Sequence, residues 1–444
     1  MYVTHEKMMR HESFAHGVHK CLKSLIISSV AEKVVSLQIE KNIIDYYMSS
    51  VEIKKVRSKR DLKTFIEFHY DLYKGNKYDV LSLYDDEIAT LSKDRNAAFD
   101  FCKAEYFLAY KDGRVAGRVA AIINERANEK WNQRRVRFGW IDFIDDREVS
   151  AALLKAVEDY GRENGMTEAC GPLGFTDLDP EGMLTWGFDQ LGTISTIYNY
   201  PYYPEHMEHL GGWEKDNDYV EFKLFVPKEM PERFAKIAQM IEKRYNLHVR
   251  KVSKREVLKG GYGLKIFHLV NDTYSDLYGF SPLTDRQIMQ YLDRFMVAID
   301  MDLVTLVEDW NTPEHKLVGV GITLLSLARA VQKCRRGRLF PFGWWHLLKV
   351  LKFHKTNIVD LLIIGVLPEY RMKGVNAMMF YHLIPYYQKY GIEWGETNVE
   401  METNGSVQSQ WQDLNTELHK RRRCYIKRLE EGPSGCQDVK SQGV

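Results

Sequence analysis

The chain lacks any apolar run of about 18 residues, the length a helix needs to cross a bilayer core. It also lacks a charge of one sign. Lys and Arg number 62 against 61 Asp and Glu, which leaves +1 over 444 residues. That removes the electrostatic basis for binding a phosphate backbone, so no nucleic-acid partner is expected. The six cysteines, Cys21, Cys102, Cys170, Cys334, Cys424 and Cys436, show no CxxC or His–Cys spacing. Neither a zinc site nor a disulfide framework is expected, and no metal; a reducing, cytoplasmic setting fits. What is present is a globular composition, 45% hydrophobic and 12% aromatic, long enough for two or three domains.

The most informative stretch is Ile358 to Asn376, IVDLLIIGVLPEYRMKGVN. Val359, Leu361, Leu362, Ile363, Ile364 and Val366 read as a buried strand. Pro368 ends ladder pairing. Arg371, Lys373 and Gly374 make a basic turn, and a helical pattern resumes with Val375, Met378, Met379 and Leu383. A glycine turn opening a helix points backbone N–H groups and the positive end of the helix dipole at an anion, with a pyrophosphate as the natural guest.

The pattern Val366, Pro368, Arg371, Gly374 resembles the acyl-CoA motif of the GNAT acyltransferase superfamily, with Asn376 where glycine or alanine is usual. The flanks repeat. Val51 to about Val226 reads as strand, helix, a hairpin across Asp112-Gly113, a strand at Arg137–Ile144, a helix capped by Asp145 and Asp146, and a strand near Cys170. From Pro227 the order recurs, with a hairpin at Leu303–Val307 and Leu317–Leu325. The expected fold is α/β (α+β), two tandem GNAT-like domains, each a mixed, mostly antiparallel sheet flanked by helices. Expected boundaries are 51–227 for a degenerate domain and 228–430 for a CoA-binding one. Residues 1–50 read as a poorly ordered or helical extension, Met48 offering a tidier start, and 431–444 as a disordered tail. The aromatic segment Ile197-Tyr198-Asn199-Tyr200-Pro201-Tyr202-Tyr203 is similar to the hallmark of a bacterial family of tandem GNAT proteins, with bacterial ceramide synthases as distant relatives.

The halves differ at two places. After its strand the first carries Phe143-Ile144-Asp145-Asp146, without glycine, where carboxylates would repel a pyrophosphate. The second has an added segment near Ala328–Thr356, containing Arg335, Arg336, Arg338, Trp344 and Trp345.

The resemblance implies an N-acyltransferase using acetyl-CoA or a longer acyl-CoA, with an amine acceptor, small or lipid-like. It implies Ile364, Val366, Arg371, Met372, Lys373, Gly374, Val375, Asn376 and Asn404 as the donor site, and the Val366 amide as oxyanion donor. An alkylamine with a lysine-like pKa of about 10.4 is almost wholly protonated at neutral pH, so a base is valuable. Asp360, Glu396 and Glu400 are the candidates. Trp411 stands where many superfamily members place an acidic tyrosine; indole is a hydrogen-bond donor, not an acid. Tyr198, Asn199, Tyr202, Trp344, Trp345 and Trp411 are candidate acceptor-side residues. The aromatic run reads equally as loop packing, and Trp344 and Trp345 either as a membrane-facing or lid surface, giving weak peripheral attachment, or as core between the halves. HKRRRCYIKR (His419–Arg428) reads as a solvated sheet edge. The alternatives are a CoA-binding module without activity and a Fem-type aminoacyltransferase.

Overall fold

The computed structural model describes residues 51–408 and 414–429. The expected N-terminal extension, Trp411 and the tail therefore lie outside the described residues. Two units are distinguished. Of the smaller, residues 51–52 and 111–114 are described, with Asp112 and Gly113 at φ 51° and 72°, the turn its sequence signals. Everything below concerns the larger, residues 53–110, 115–408 and 414–429, except that the first three strands each include one terminal residue of the smaller, Glu52, Lys111 and Arg114.

Its strands are β1 Glu52–Lys55, β2 Cys102–Lys111, β3 Arg114–Asn124, β4 Arg135–Phe143, β5 Glu168–Gly171, β6 Met183–Trp186, β7 Glu214–Phe225, β8 Leu247–Arg250, β9 Val304–Asp309, β10 Lys316–Leu325, β11 Ile358–Val366, β12 Trp394–Thr397, β13 Glu400–Met401 and β14 Thr416–Arg428. The helices are α1 Lys59–Leu72, α2 Tyr84–Leu91, α3 Glu125–Lys130, α4 Arg147–Glu163, α5 Tyr202–His209, α6 Glu232–Tyr245, α7 Lys254–Lys259, α8 Tyr262–Thr273, α9 Asp285–Phe295, α10 Ala328–Val331, α11 Gly343–Phe353, α12 Val375–Lys389 and α13 Gly405–Gln408. Local chemistry sets several starts. Ser58 with Asp61, and Thr284 with Gln287, form capping boxes at α1 and α9.

One sheet runs β1-β2-β3-β4-β5-β14-β7-β12-β11-β10-β9-β8. Read from either end, it gives five strands of one half, then the last strand of the other. β14 lies beside β5, and β7 beside β12, so the halves exchange their final strands. β4–β5 and β11–β12 are parallel; the other described pairings across β3, β7, β9, β10 and β14 are antiparallel. The repeat is thus built into a single sheet with α8 and α9 over the second half's core and α6 and α12 packed together.

One expectation is overturned. His419–Arg428 is no solvated edge but lies in β14, at the centre of the sheet. Lys420 and Arg422 are each only 1% exposed. A basic strand tolerates this position because acids come from its neighbours: Arg422 pairs with Glu221 at 2.5 Å, and Lys420 pairs with Glu396 and with Glu221 at 3.4 Å. Lys420, Arg422 and Cys424 point one way with period two, as a strand requires.

Candidate functional site

β11 follows β10 for its whole length, from Leu325↔Val359 to Gly319↔Val366, but follows β12 only from Ile358↔Trp394 to Leu361↔Thr397. Beyond Leu361 the two parallel strands part, leaving a wedge with the edge of β11 open. Leu367 N donates to Val318 O at 3.0 Å, which makes Gly319↔Val366 a non-hydrogen-bonded pair. The Val366 N–H and C=O therefore face away from β10, into the wedge. Arg371 Nε donates to that carbonyl at 3.2 Å. Two residues back, the Tyr274 hydroxyl donates to Ile364 O and accepts from Ile364 N, both at 3.3 Å. Among the described residues no side chain takes the Val366 N–H.

The turn that follows has the form its sequence suggests. Pro368–Lys373 is a short 3-10 helix, Gly374 adopts φ 83°, and α12 starts with no side chain capping its first amides. Met372 is almost wholly exposed, and Lys373 Nζ sits 3.9 Å over the Tyr370 ring. Asn376 Oδ1 is enclosed without a hydrogen-bond partner. Val375 packs beneath Gly319, where a Cβ would meet it at 2.9 Å. An uncapped helix start beside two cations is an arrangement that can accommodate an anion, while the Asn376 oxygen, an acceptor, adds nothing to it.

The first half has the same frame, filled by its own side chains. Gly117↔Phe143 matches Gly319↔Val366, and Ile144 N donates to Ala116 O at 3.0 Å as Leu367 N does to Val318 O. Here the inward N–H of Phe143 donates to the Tyr203 hydroxyl at 3.1 Å, and its carbonyl accepts from Tyr202 at 2.6 Å. The Tyr203 ring stacks on Phe143 at 4.1 Å. At the helix start Asp146 accepts from the Glu148 and Val149 N–H groups at 3.0 and 3.4 Å. A carboxylate already occupies the amides that an anion would need.

The aromatic run is thus placed inside the first half. Tyr198 is buried with Tyr73 and Leu184 and donates to Phe188 O. Asn199 accepts from Leu184 N and donates to Leu184 O. Tyr202 closes on Phe143. Proline and adjacent tyrosines gave no way to tell this packing role from a pocket lining.

Two of the three candidate carboxyls meet at the vertex of the wedge, where Asp360 and Glu396 are register partners. Glu396 is tied to Lys420, with His419 Nε2 at 3.3 Å. Asp360 is 2% exposed, and its oxygens make no regular hydrogen bond, with the Ser326 side chain close by. Burial pushes its carboxyl up to about 7, the Glu396 carboxylate adding to the rise. Glu400, in β13 opposite Val220, lies near Tyr274, whose hydroxyl burial pushes up to about 12. Asn404 immediately precedes α13.

The added segment folds against the first half. Gln332 donates to Lys77 O and Asp79 O, Arg336 pairs with Asp71 at 2.9 Å, and Arg338 pairs with Glu67 at 3.1 Å. Trp344 and Trp345 are 44% and 42% exposed, so they are not core between the halves. Phe340, Phe342 and Phe353 are exposed near them in sequence, with Lys349 over the Trp345 ring. Among the described residues no helix is long and apolar enough to cross a membrane.

No protein-family model matches the chain. It is 25% identical to protein YghO of Escherichia coli over 85% of its own length and 95% of that protein. It is 26% identical to the bacterial ceramide synthase of Caulobacter vibrioides over 78% of its length and 90% of that protein. Among solved structures it is similar to a GCN5-related glucosamine N-acetyltransferase region of a fungal multi-domain β-N-acetylglucosaminidase, with TM-score 0.50 and 12% identity, covering 85% of this chain and 38% of that one. The chain therefore has the fold of the GCN5-related N-acetyltransferases, GNAT, present in tandem as two halves of one sheet.

Proposed function

We propose that the chain is an N-acyltransferase that moves an acyl group from a CoA thioester to an amine, with CoA held by the second half alone. The observation that carries this reading is the contrast between the two wedges. In one, the inward amide and helix start are taken by Tyr203 and Asp146; in the other, the Val366 N–H and the first amides of α12 have no side-chain acceptor among the described residues. Arg371, Lys373 and the Gly374 turn would meet the pyrophosphate, and Val366 N–H would donate to the thioester oxygen as it becomes anionic. The amine nitrogen bonds to the acyl carbon and the C–S bond breaks. One N–H proton is lost for each amide formed, and the departing thiolate takes up one; with a thiol pKa near ~8.5 it leaves without a strong acid beside it. The likeness to a bacterial ceramide synthase supports the same reaction class. Titration calorimetry with CoA is expected to give one site per chain, and acyl-CoA mixed with amines should release free thiol. A stoichiometry of two, or no CoA binding, would overturn the reading.

We further assign the acceptor an amphiphilic character. The exposed Phe340, Phe342, Trp344 and Trp345 lie beside Lys349 and Lys352, a combination suited to an anionic membrane surface. Arg336 and Arg338 are spent on Asp71 and Glu67, so the lysines carry this role. The protein is expected to sediment with anionic vesicles at low salt and stay in the supernatant with neutral ones. Trp344→Ala with Trp345→Ala should reduce the bound fraction at least about fivefold, the loss of two interfacial tryptophans. Equal sedimentation of this variant and the wild type would favour a small soluble amine.

A further inference from the structure

Inward of Val366 the open edge of β11 runs only a short way before the wedge shuts. At the vertex Asn398 N donates to Leu361 O at 3.2 Å. Behind that bond lie Asp360 and Glu396, polar groups that offer nothing to an alkyl chain. Between the vertex and Val366 stands Tyr274, the residue that ends α8. Its hydroxyl is 3.3 Å from both the nitrogen and the carbonyl oxygen of Ile364. One side-chain oxygen thus does the work of a strand partner, accepting once and donating once.

Two contacts fix the end of α8 against β11. A Cβ at Gly365 would meet Thr273 Oγ1 at 2.8 Å, so the close approach needs a glycine. Arg371 Nη2 donates to Thr273 O at 3.3 Å and holds the last turn of the helix. The Phe280 ring meets the Tyr274 ring edge-on, with centroids 6.4 Å apart. The other face of the sheet is covered at the same level by α12. A Cβ at Gly321, the register partner of Ile364, would meet Met379 Sδ at 3.3 Å. A group seated at Val366 is therefore confined to the line of the strand edge.

The first half supplies the contrast. Its plug, Tyr203, sits on the Phe143 amide itself, the position that matches Val366. In the second half the tyrosine is set two residues deeper. That leaves the Val366 N–H without a side-chain acceptor among the described residues, and a slot in front of it. With the pyrophosphate at the Gly374 turn and the thioester oxygen on the Val366 N–H, the sulfur arm runs back towards α12. The acyl chain then points the opposite way, at Ile364. Strand residues rise about 3.3 Å each, so Ile364 lies about 7 Å from Val366. An approaching carbon stops about 3.5 Å from the Tyr274 oxygen, and only about half of that length remains. Resting on the acyl-transfer reading, we propose that Tyr274 is the end wall of the acyl slot and selects a short-chain acyl-CoA, acetyl-CoA foremost, as the donor. It acts by exclusion and takes no part in bond making.

Calorimetric titrations of the full chain with CoA, acetyl-CoA and octanoyl-CoA test this without an acceptor. Wild type is expected to bind octanoyl-CoA at least about tenfold more weakly than acetyl-CoA, because the longer tail meets the wall. In Tyr274→Ala the two affinities should come within about threefold of each other, each judged against CoA on the same variant. Should that variant misfold, Tyr274→Leu keeps apolar packing but is too short to reach the strand edge, and the same narrowing is expected. Equal binding of acetyl-CoA and octanoyl-CoA by wild type would overturn the wall. So would discrimination that survives in both variants. If CoA itself fails to bind wild type, the acyl-transfer reading falls and the wall with it; CoA binding without chain-length discrimination removes the wall alone.

Discussion

Gly374→Glu is expected to weaken CoA binding at least a hundredfold. Two effects combine. A carboxylate there sits at the start of α12, where the pyrophosphate would lie, and repels it; the first half achieves the same with Asp146. The substitution also carries a structural cost, because φ is 83° and a Cβ would meet Ile237 Cγ2 at 3.0 Å. A residue with a side chain in that conformation loses roughly 1–2 kcal/mol. Gly374→Ala separates the effects: it carries the same strain without charge or bulk. Both variants should melt lower by a similar margin, while Gly374→Ala keeps CoA affinity within about tenfold of wild type, the equivalent of the strain energy. If alanine and glutamate weaken CoA equally, the backbone conformation and not the open anion site governs binding. If neither does, the donor site lies elsewhere.

The largest effect on stability is expected from Lys420→Met. Its ammonium lies between Glu396 and Glu221, all three nearly without exposure. Although burial alone would raise it, the Arg422 and Lys420 charges hold the Glu221 carboxyl down to about 2. Methionine keeps the volume but strands the Glu396 carboxylate beside Asp360, at a cost of about 3–5 kcal/mol. The sign with pH follows. A buried carboxylate without its cation is costly only while charged, so a falling pH relieves the variant. The defect should be greatest near neutrality and shrink as pH falls towards 5, before Glu221 itself titrates. Lys420→Met with Glu396→Gln removes the stranded charge and should recover much of the loss. Thermal denaturation of the three proteins at pH 5 and pH 8 reads all of this. A single variant that melts with wild type at pH 8 would show the pair to be dispensable.

The same strand shows where reading a sequence stops. HKRRRCYIKR is basic enough to suggest solvent, yet its position between β5 and β7 is set by an exchange of strands across more than 200 residues of chain. Its acids, Glu221 and Glu396, are legible only once three strands are laid side by side. The period-two spacing of Lys420, Arg422 and Cys424 was the available signal, but nothing local says that both faces are covered. The aromatic run failed to resolve for the same reason. Tyr202 and Tyr203 are defined by what they touch, Phe143, some 60 residues earlier.

By itself the sequence determined the parts that depend on local physics. The apolar run, Pro368, Gly374 and the resumed helical period specified β11, its turn and α12. Repetition of that order specified two halves of GNAT type, and the acidic turn in one copy marked the difference between their helix starts. Backbone conformation and side-chain period act over a few residues, so a linear reading suffices. The tertiary structure alone decided which groups stand opposite one another: the parting of β11 from β12 after Leu361, the Tyr203 plug in the first wedge and the Asp360–Glu396 vertex. Those pairings come from hydrogen-bond register and from strand exchange between halves, and neither leaves a trace in the neighbouring residues.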